Sequence, residues 1–176
     1  MTPGLYTRTG DEGMTYCYFL NKRIPKDHPV MEFIGTLDEA NSSIGHAISL
    51  LKDVPGSEEI AETLRNVQRL IFRIGFLPAK PESLSEKDIE WMENLIDKYY
   101  GKAPLTNFIL PGGHPAASQL HIARTITRRA ERRLVRLVGE GLYPRIALKA
   151  VNRLSDLLFA IALYINKIAG VEEVPL

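Results

Sequence analysis

Residues 144–170, PRIALKAVNRLSDLLFAIALYINKIAG, decide the fold of this 176-residue chain. Apolar residues recur three and four positions apart from Ile146 to Ile168, and they cover much of the circumference of a predicted helix. Pro144 suits the start of such a helix, and Gly170 suits its end. A helix that is apolar on most sides is buried, so we predict that this one lies at the centre of a helical protein.

Four earlier segments show the same spacing of apolar residues. We predict helices over residues 30–52, 60–77, 85–101 and 116–139, with Asp27 or His28 as the N-cap of the first and a Ser85–Asp88 capping box at the third. Short connections join the helices, and we expect no strand-rich region. The sequence therefore predicts one all-α domain over residues 1–176: an N-terminal arm (1–28) and a five-helix up-and-down bundle (29–170).

The composition excludes several classes of protein. Lysine and arginine total 22 against 21 acidic residues, so no overall field attracts nucleic acid or a membrane surface. The single cysteine, Cys17, cannot pair within the chain, and no cluster of cysteine and histidine is present. The N-terminus does not read as a signal peptide, and no apolar run reaches the ~20 residues of a membrane span. We expect a cytoplasmic protein without a structural metal site.

The predicted arm contains Thr7-Arg8-Thr9-Gly10-Asp11-Glu12-Gly13-Met14-Thr15. Its glycines allow backbone N–H groups to turn toward an anion, and the hydroxyls and the guanidinium add further donors. Phosphate is the natural ligand of such a segment. A hydrogen-bonded turn without a ligand is the alternative, because short segments of glycine and threonine are common in turns.

The predicted fourth helix carries most of the arginine. Arg124, Arg128 and Arg132 follow one another at i,i+4 spacing and form one row, which we call the arginine ridge. Each like-charge neighbour costs a few tenths of a kcal/mol, so the ridge fits a polyphosphate or the acidic side chains of a neighbouring subunit. Asp38, in a polar part of the first helix, could pair with such an arginine from another chain. A solvated basic face, and an ordinary helix contact at Asp38, are the alternatives.

Two further segments carry polar or aromatic residues where a plain bundle needs none. Phe108 lies in Thr106-Asn107-Phe108-Ile109-Leu110-Pro111-Gly112-Gly113, and composition alone favours a plug at the bundle end. Asn152-Arg153-Leu154-Ser155-Asp156 interrupts the most apolar helix, which indicates a buried polar network or a patch that faces a ligand. The four histidines are scattered, and we interpret them as ordinary surface or core residues.

Taken together, these segments resemble the PduO-type ATP:cob(I)alamin adenosyltransferases, or corrinoid adenosyltransferases, over nearly the whole chain. The resemblance implies a homotrimer that binds ATP and cobalamin between adjacent subunits. It implies transfer of the 5′-deoxyadenosyl group of ATP, with Mg²⁺, to the cobalt of cob(I)alamin, giving adenosylcobalamin and triphosphate. A reductase would supply Co(I), and an adenosylcobalamin-dependent enzyme would receive the product. A non-catalytic nucleotide or cobalamin carrier, and a nucleic-acid-binding helical bundle, are the alternatives.

The resemblance also implies roles for individual residues. Arg128, Arg124, Asp38 and Phe108 match the catalytic set: Arg124 and Asp38 form the intersubunit ion pair of the family, and Phe108 lies under the corrin ring. The implied ATP-binding residues are Thr7, Arg8, Thr9, Gly10, Gly13, Thr15 and Lys26 of the arm, with Arg128, Arg129, Glu131, Arg132 and Asn152 of the neighbouring chain. Two positions depart from the family pattern: Glu12 replaces a frequent lysine, and His114 replaces a small hydroxyl residue.

Overall fold

The computed structural model describes residues 6–176 and contains five α-helices and a single 3₁₀ turn, Pro81–Ser83. The helices are α1 (Pro29–Ser49), α2 (Ser57–Gly75), α3 (Glu86–Tyr100), α4 (Pro115–Gly139) and α5 (Arg145–Ile168). The five predicted helices are thus confirmed, with ends that differ by up to three residues. The first five residues of the predicted arm lie outside the described part of the chain.

Two of the helices begin at a His-Pro pair. His28 caps α1, because its Nδ1 accepts a hydrogen bond from the Val30 backbone N–H at 3.2 Å, and His114 caps α4 through the Ala116 N–H at the same distance. The imidazole thus accepts the bond that a hydroxyl cap would otherwise accept. The departure from the family pattern at His114 therefore preserves the helix start. The capping box of α3 is confirmed.

The described chain also contains four short strands. β1 (Met14–Cys17) pairs antiparallel with β2 (Lys22–Pro25), and β3 (Ile109–Leu110) pairs antiparallel with β4 (Val174–Pro175). These two short pairs were not predicted from the sequence. Strands of two to four residues are too short to show the alternation that identifies a strand in a sequence. The described chain is mostly helical, with one short hairpin, β1–β2, and one short pair, β3–β4, that joins distant parts of the sequence.

Helix α5 contacts α2, α3 and α4, and α1 packs against α4 and α2. The buried residues of α5 include Leu154, Leu157, Leu158 and Ile161, so its predicted burial is confirmed. α1 lies along α4, and their side-chain contacts run in opposite order: Ser43 meets Gln119, whereas Glu32 meets Arg133. Among residues 6–176, no helix combines the length and the apolar character that a membrane crossing requires.

The β1–β2 hairpin is anchored where α2 and α4 end. The Tyr143 ring, just after α4, packs edge-to-face against Phe19 of the hairpin turn and Phe33 of α1, at centroid distances of 5.9 and 5.0 Å. The Tyr143 hydroxyl donates to the Gly75 carbonyl at 2.8 Å, and burial raises the pKa of this phenol above its usual range. Cys17 is buried in the same region. This packing fixes one end of the arm against the helices.

Candidate functional site

An open cavity of about 770 Å³ lies between α4, α5 and the loop that precedes α4. It is lined by residues 105–109 of the loop, by Tyr100 at the end of α3, and by one face of each of the two helices. Three of the segments that the sequence singled out meet here, through Phe108, Arg124, Arg128, Ser155 and Asp156. The cavity is therefore the candidate site.

Phe108 is 84% exposed, and its ring forms part of the cavity wall. The interpretation of Phe108 as a plug of the bundle end is therefore wrong. The backbone holds the residue, because the Phe108 carbonyl accepts a hydrogen bond from the Leu176 N–H at 2.9 Å. A large aromatic side chain kept in the open in this way offers an apolar surface to a ligand.

The arginines of α4 divide between two faces of the helix. Arg129 pairs with Glu39 of α1, and the Arg133 guanidinium lies 2.8 Å from the Glu32 carboxylate. Within residues 6–176, no ridge arginine (Arg124, Arg128 or Arg132) forms an ion pair with an acidic side chain. Arg124 and Arg128 line the cavity, whereas Arg129 is engaged with α1. Two of the three ridge arginines without an acidic partner, Arg124 and Arg128, thus face the cavity.

Burial shapes the electrostatics at the start of the ridge. The Arg124 guanidinium lies 5.4 Å from the centroid of the Phe159 ring, and its buried Nε has no hydrogen-bond partner in the described chain. Burial, and then the charge of Arg128, lowers the pKa of Arg124. His121 is 4% exposed, and burial, followed by the charge of Arg124, lowers its pKa to about 4. The imidazole is therefore neutral at pH 7.

A polar network lies beside the cavity on α5. The Asn152 amide donates to Glu131 at 3.0 Å and accepts from Arg153 at 2.7 Å, and Arg153 in turn donates to Glu93 of α3 at 2.7 Å. Asp156 lines the cavity, and burial is the main cause of its raised pKa. The segment 152–156 thus contains both a polar network and a residue that faces the cavity.

Sequence reasoning missed His121 and Phe159 as cavity residues. The available signal was spacing alone, since His121 lies one turn before Arg124 on α4, and Phe159 lies one turn after Ser155 on α5. Of the two interpretations given for the histidines, surface or core, burial places His121 in the core, but neither ring nitrogen has a hydrogen-bond partner among residues 6–176. The sequence shows that residue 121 is a histidine but not whether its ring nitrogens have partners. The lack of partners depends on how α4 packs against α5.

The arm forms a turn rich in backbone donors. Arg8 and Gly13 adopt left-handed backbone conformations, with φ of 58° and 75°, and the Gly13 N–H donates to the Gly10 carbonyl at 3.2 Å. A Cβ atom at Gly10 would lie 3.0 Å from the Lys26 ammonium, so the two residues are in close contact. Thr15 lies in β1, next to this turn. The structure thus gathers Gly10, Gly13 and Lys26 around one turn.

The arm and the cavity are separate within one chain. The Thr7 and Thr9 hydroxyls hydrogen-bond to each other at 2.9 Å in the exposed part of the arm. The cavity is lined only by residues between Tyr100 and Phe159, and the arm is anchored at Tyr143, beyond the end of α4. At 1.5 Å per residue, Arg128 lies about 16 Å along the helix axis from Gly139, the last residue of α4.

Asp38 lies outside this cavity, in a groove of about 320 Å³ between α1 and α2. The groove is mostly apolar and includes the exposed rings of Phe72 and Phe76. Asp38 is exposed and forms no ion pair within residues 6–176. One chain therefore does not bring Asp38 and Arg124 together. In that same range, no group of three or more metal-ligating side chains is arranged to hold a metal ion.

Comparisons with known proteins cover both the arm and the cavity. A family model for cobalamin adenosyltransferases matches residues 5–165. The chain belongs to the cobalamin adenosyltransferase family. It is 43% identical to a corrinoid adenosyltransferase of Bacillus subtilis, over 97% of this chain and 90% of the relative. It is 39% identical to the human corrinoid adenosyltransferase MMAB, over 97% of this chain and 72% of the relative.

A solved cobalamin adenosyltransferase has the same fold. It is a single-residue variant of the PduO-type ATP:corrinoid adenosyltransferase from Lactobacillus reuteri, complexed with cobalamin and ATP. The two chains are 35% identical and superpose with a TM-score of 0.88, over 98% of this chain and 96% of the other. The mostly helical fold with five helices is thus that of the PduO-type enzymes.

Proposed function

We propose that this cobalamin adenosyltransferase moves the 5′-deoxyadenosyl group of ATP to the cobalt of cob(I)alamin, giving adenosylcobalamin and triphosphate. One observation carries the proposal: uncompensated arginines line a cavity whose wall presents an exposed aromatic ring. Cations without acidic partners suit a polyphosphate, and the open ring of Phe108 suits a flat apolar ligand. ATP and cobalamin together supply these two chemistries.

The reaction requires no nucleophile from the protein. The electron pair of Co(I) forms the bond to C5′ of ATP, the C5′–O bond breaks, and its electron pair leaves with the triphosphate. No proton is transferred in this step. The chain therefore has to align the two substrates and to stabilise the negative charge that develops on the leaving group.

The ridge arginines stabilise the negative charge on the leaving triphosphate. Arg128 is exposed in the cavity and is not neutralised by an acidic side chain, so its guanidinium can form charge-assisted hydrogen bonds with the triphosphate. Arg132, which donates to the Arg128 carbonyl at 3.1 Å, extends the same charged row. Glu131 and Asn152 are linked by a hydrogen bond and are suited to the nucleoside part of ATP. Arg129 pairs with Glu39 of α1, and this ion pair contributes to the site by helping to fix the position of α4.

The aromatic part of the cavity binds the cobalt-containing substrate, cob(I)alamin. Phe108 lies under the corrin ring and disfavours a lower axial ligand on the cobalt. Phe159 and the neutral His121 add an uncharged part to the cavity wall, between the ionisable side chains of Arg124 and Asp156. A site that excludes water protects a strongly reducing substrate from side reactions.

We also propose that the helices form an up-and-down bundle and that three copies assemble with their sites between subunits. The opposite order of contacts along α1 and α4 supports the bundle. The separation of the arm from the cavity supports a shared site, in which Thr7–Gly13 and Lys26 of one subunit meet the ridge of the next. Asp38, exposed beside an apolar groove, then pairs with Arg124 of the adjacent subunit.

The remaining expectations follow from this reaction. We propose that Mg²⁺ enters with the triphosphate, since the described residues offer no cluster of ligands for a resident ion. A reductase supplies the reduced cobalt, and an enzyme that depends on adenosylcobalamin takes the product. The buried free thiol of Cys17 fits a reducing compartment such as the cytoplasm.

An anaerobic assay tests the proposed function. Purified protein is mixed with ATP, Mg²⁺ and chemically reduced cob(I)alamin, and the visible spectrum is followed until a light-sensitive cobalt–carbon product is identified. We expect adenosylcobalamin and triphosphate in equal amounts. Binding of ATP without any product would instead identify a carrier. Binding of neither substrate, with an affinity for nucleic acid that falls steeply with salt, would overturn the assignment.

A further inference from the structure

The side chain of Asn166, near the end of α5, links this helix to the loop before α4 and to the C-terminal residues. It is 1% exposed. Its Oδ1 accepts a hydrogen bond from the His114 N–H at 2.8 Å, and its Nδ2 donates to the Gly112 carbonyl at 3.1 Å and to the Glu173 carboxylate at 2.9 Å. Both amide protons and the amide oxygen are therefore used, as expected for a buried polar group with a structural task.

The turn that follows Phe108 is shaped by this amide. Gly113 has a φ of 96°, and a Cβ atom at this position would lie 2.4 Å from the Asn166 Oδ1. Glycine alone allows the backbone to approach the amide so closely. The path of residues 112–114 is thus set by contact with Asn166.

The C-terminal tail (residues 171–176) holds the other end of the same loop. β4 pairs with β3 so that Val174 lies opposite Leu110, and the Leu176 N–H donates to the Phe108 carbonyl at 2.9 Å. Glu173 adds the hydrogen bond to Asn166. Phe108 itself is 84% exposed, so packing of its side chain contributes little to its position. The backbone anchors before and after β3 therefore fix the ring.

We propose that Asn166 and Glu173 are positioning residues for Phe108. The inference rests on the proposed function, and it concerns residues beyond 5–165, the segment that the family model matches. Loss of the Glu173 carboxylate leaves one buried N–H of Asn166 without its partner and releases the tail from the turn. A displacement of the ring by about 1 Å is enough to lower a rate by one to two orders of magnitude, since catalysis depends on alignment.

Three variants of the tail test this inference. Glu173→Ala removes the acceptor, Glu173→Gln keeps an acceptor oxygen in the same place, and Glu172→Ala changes the adjacent exposed carboxylate. We expect Glu173→Ala to lower kcat at least fivefold while the KM for ATP stays within twofold of wild type, because the ridge is untouched. The other two variants should match the wild type in both constants.

A spectroscopic measurement separates positioning from a merely structural role. Electron paramagnetic resonance of cob(II)alamin, bound with ATP under anaerobic conditions, reports whether the cobalt has a lower axial ligand. We expect the spectrum of Glu173→Ala to show more of the ligated form than wild type, and that of Glu173→Gln to match wild type. Hydrogen exchange of residues 108–113 without substrates should be faster in Glu173→Ala.

The outcomes distinguish this inference from the proposed function. Wild-type kcat together with wild-type spectrum and exchange in Glu173→Ala would overturn the positioning role, although the enzyme would still be an adenosyltransferase. A wild-type protein that makes no product would reject the proposed function itself. Asn166→Ala should have a larger effect than Glu173→Ala, and a failure of that variant to fold would leave the comparison of the Glu173 variants decisive.

Discussion

Replacement of the buried imidazole, His121→Leu, should change how stability depends on pH. Neither ring nitrogen of His121 has a hydrogen-bond partner in the described chain, and burial beside the Arg124 cation disfavours the protonated form. The unfolded chain has no such restriction, so its imidazole takes up a proton at an ordinary pKa. Acid therefore stabilises the unfolded state relative to the folded state through this one residue.

The size of the effect follows from the two pKa values. The pKa of His121 falls from its ordinary value of 6.5 to about 4 in the folded protein. A base with a depressed pKa contributes its full stability above pH 6.5, and this contribution is lost as the pH falls toward 4. At most ~1.4 kcal/mol is lost per pH unit, so lowering the pH from 7 to 5 should cost about 2 kcal/mol. His121→Leu cannot lose this contribution.

The assay is urea unfolding of wild type and His121→Leu at pH 7, 6 and 5, at one protein concentration. At pH 7 the variant should be at least as stable as wild type, because an apolar side chain replaces an unpartnered polar one. At pH 5 the variant should gain about 2 kcal/mol relative to wild type. His46→Gln, which removes an exposed histidine of α1, is the control and should follow the wild-type curve. Parallel pH curves for wild type and His121→Leu would refute the reasoning.

Three further substitutions test the site. Arg128→Ala should lower kcat/KM for adenosylation by about 10²–10³-fold without a change in the unfolding curve, whereas Arg136→Ala, which removes an exposed arginine paired with Glu140, should keep wild-type activity. Near-normal activity of Arg128→Ala would remove the ridge from the mechanism. Phe108→Ala should change the free energy of unfolding by less than about 0.5 kcal/mol, because the ring is exposed. The same variant should form product at least tenfold more slowly, and an undiminished rate would contradict the role of Phe108. Asp38→Asn should weaken the assembly in analytical ultracentrifugation or lower activity, and unchanged sedimentation with unchanged kinetics would count against its ion pair with Arg124.

The helices were predictable because their cause is local. The spacing of apolar residues from Ile146 to Ile168 describes one buried helix whatever the rest of the chain does. The β3–β4 pair was not predictable for the opposite reason. It joins Leu110 to Val174, and neither two-residue strand has a pattern of its own. The formation of this pair depends on the position of the C-terminal tail at the end of α5. That position is set only when the helices pack together.

The candidate cavity contains only part of the predicted set of site residues. The resemblance brought Phe108 and the ridge together, and the cavity contains Phe108, Arg124 and Arg128. Arg128 and Arg129 are neighbours in sequence, yet they lie about 100° apart around the helix axis. Glu39 of α1 neutralises Arg129 and no acidic side chain in residues 6–176 pairs with Arg128. Only the packing of α1 against α4 separates a structural arginine from a candidate ligand.

The ridge also shows a conflict between stability and function. The chain neutralises the charges of the arginines that α4 turns toward α1, whereas Arg124 forms no ion pair in the described residues. The buried Nε atoms of Arg124 and of Arg129 both lack a hydrogen-bond partner there. An unsatisfied buried polar group costs about 1–3 kcal/mol, and a leucine in place of Arg124 would avoid that cost. Arg124 differs from Arg129 in that it lines the cavity and has no acidic partner in these residues, as expected for a group that is retained for a partner that arrives later. The unpaired guanidinium of Arg124 is therefore free in the isolated chain to bind an anion or an acidic side chain in the assembled enzyme.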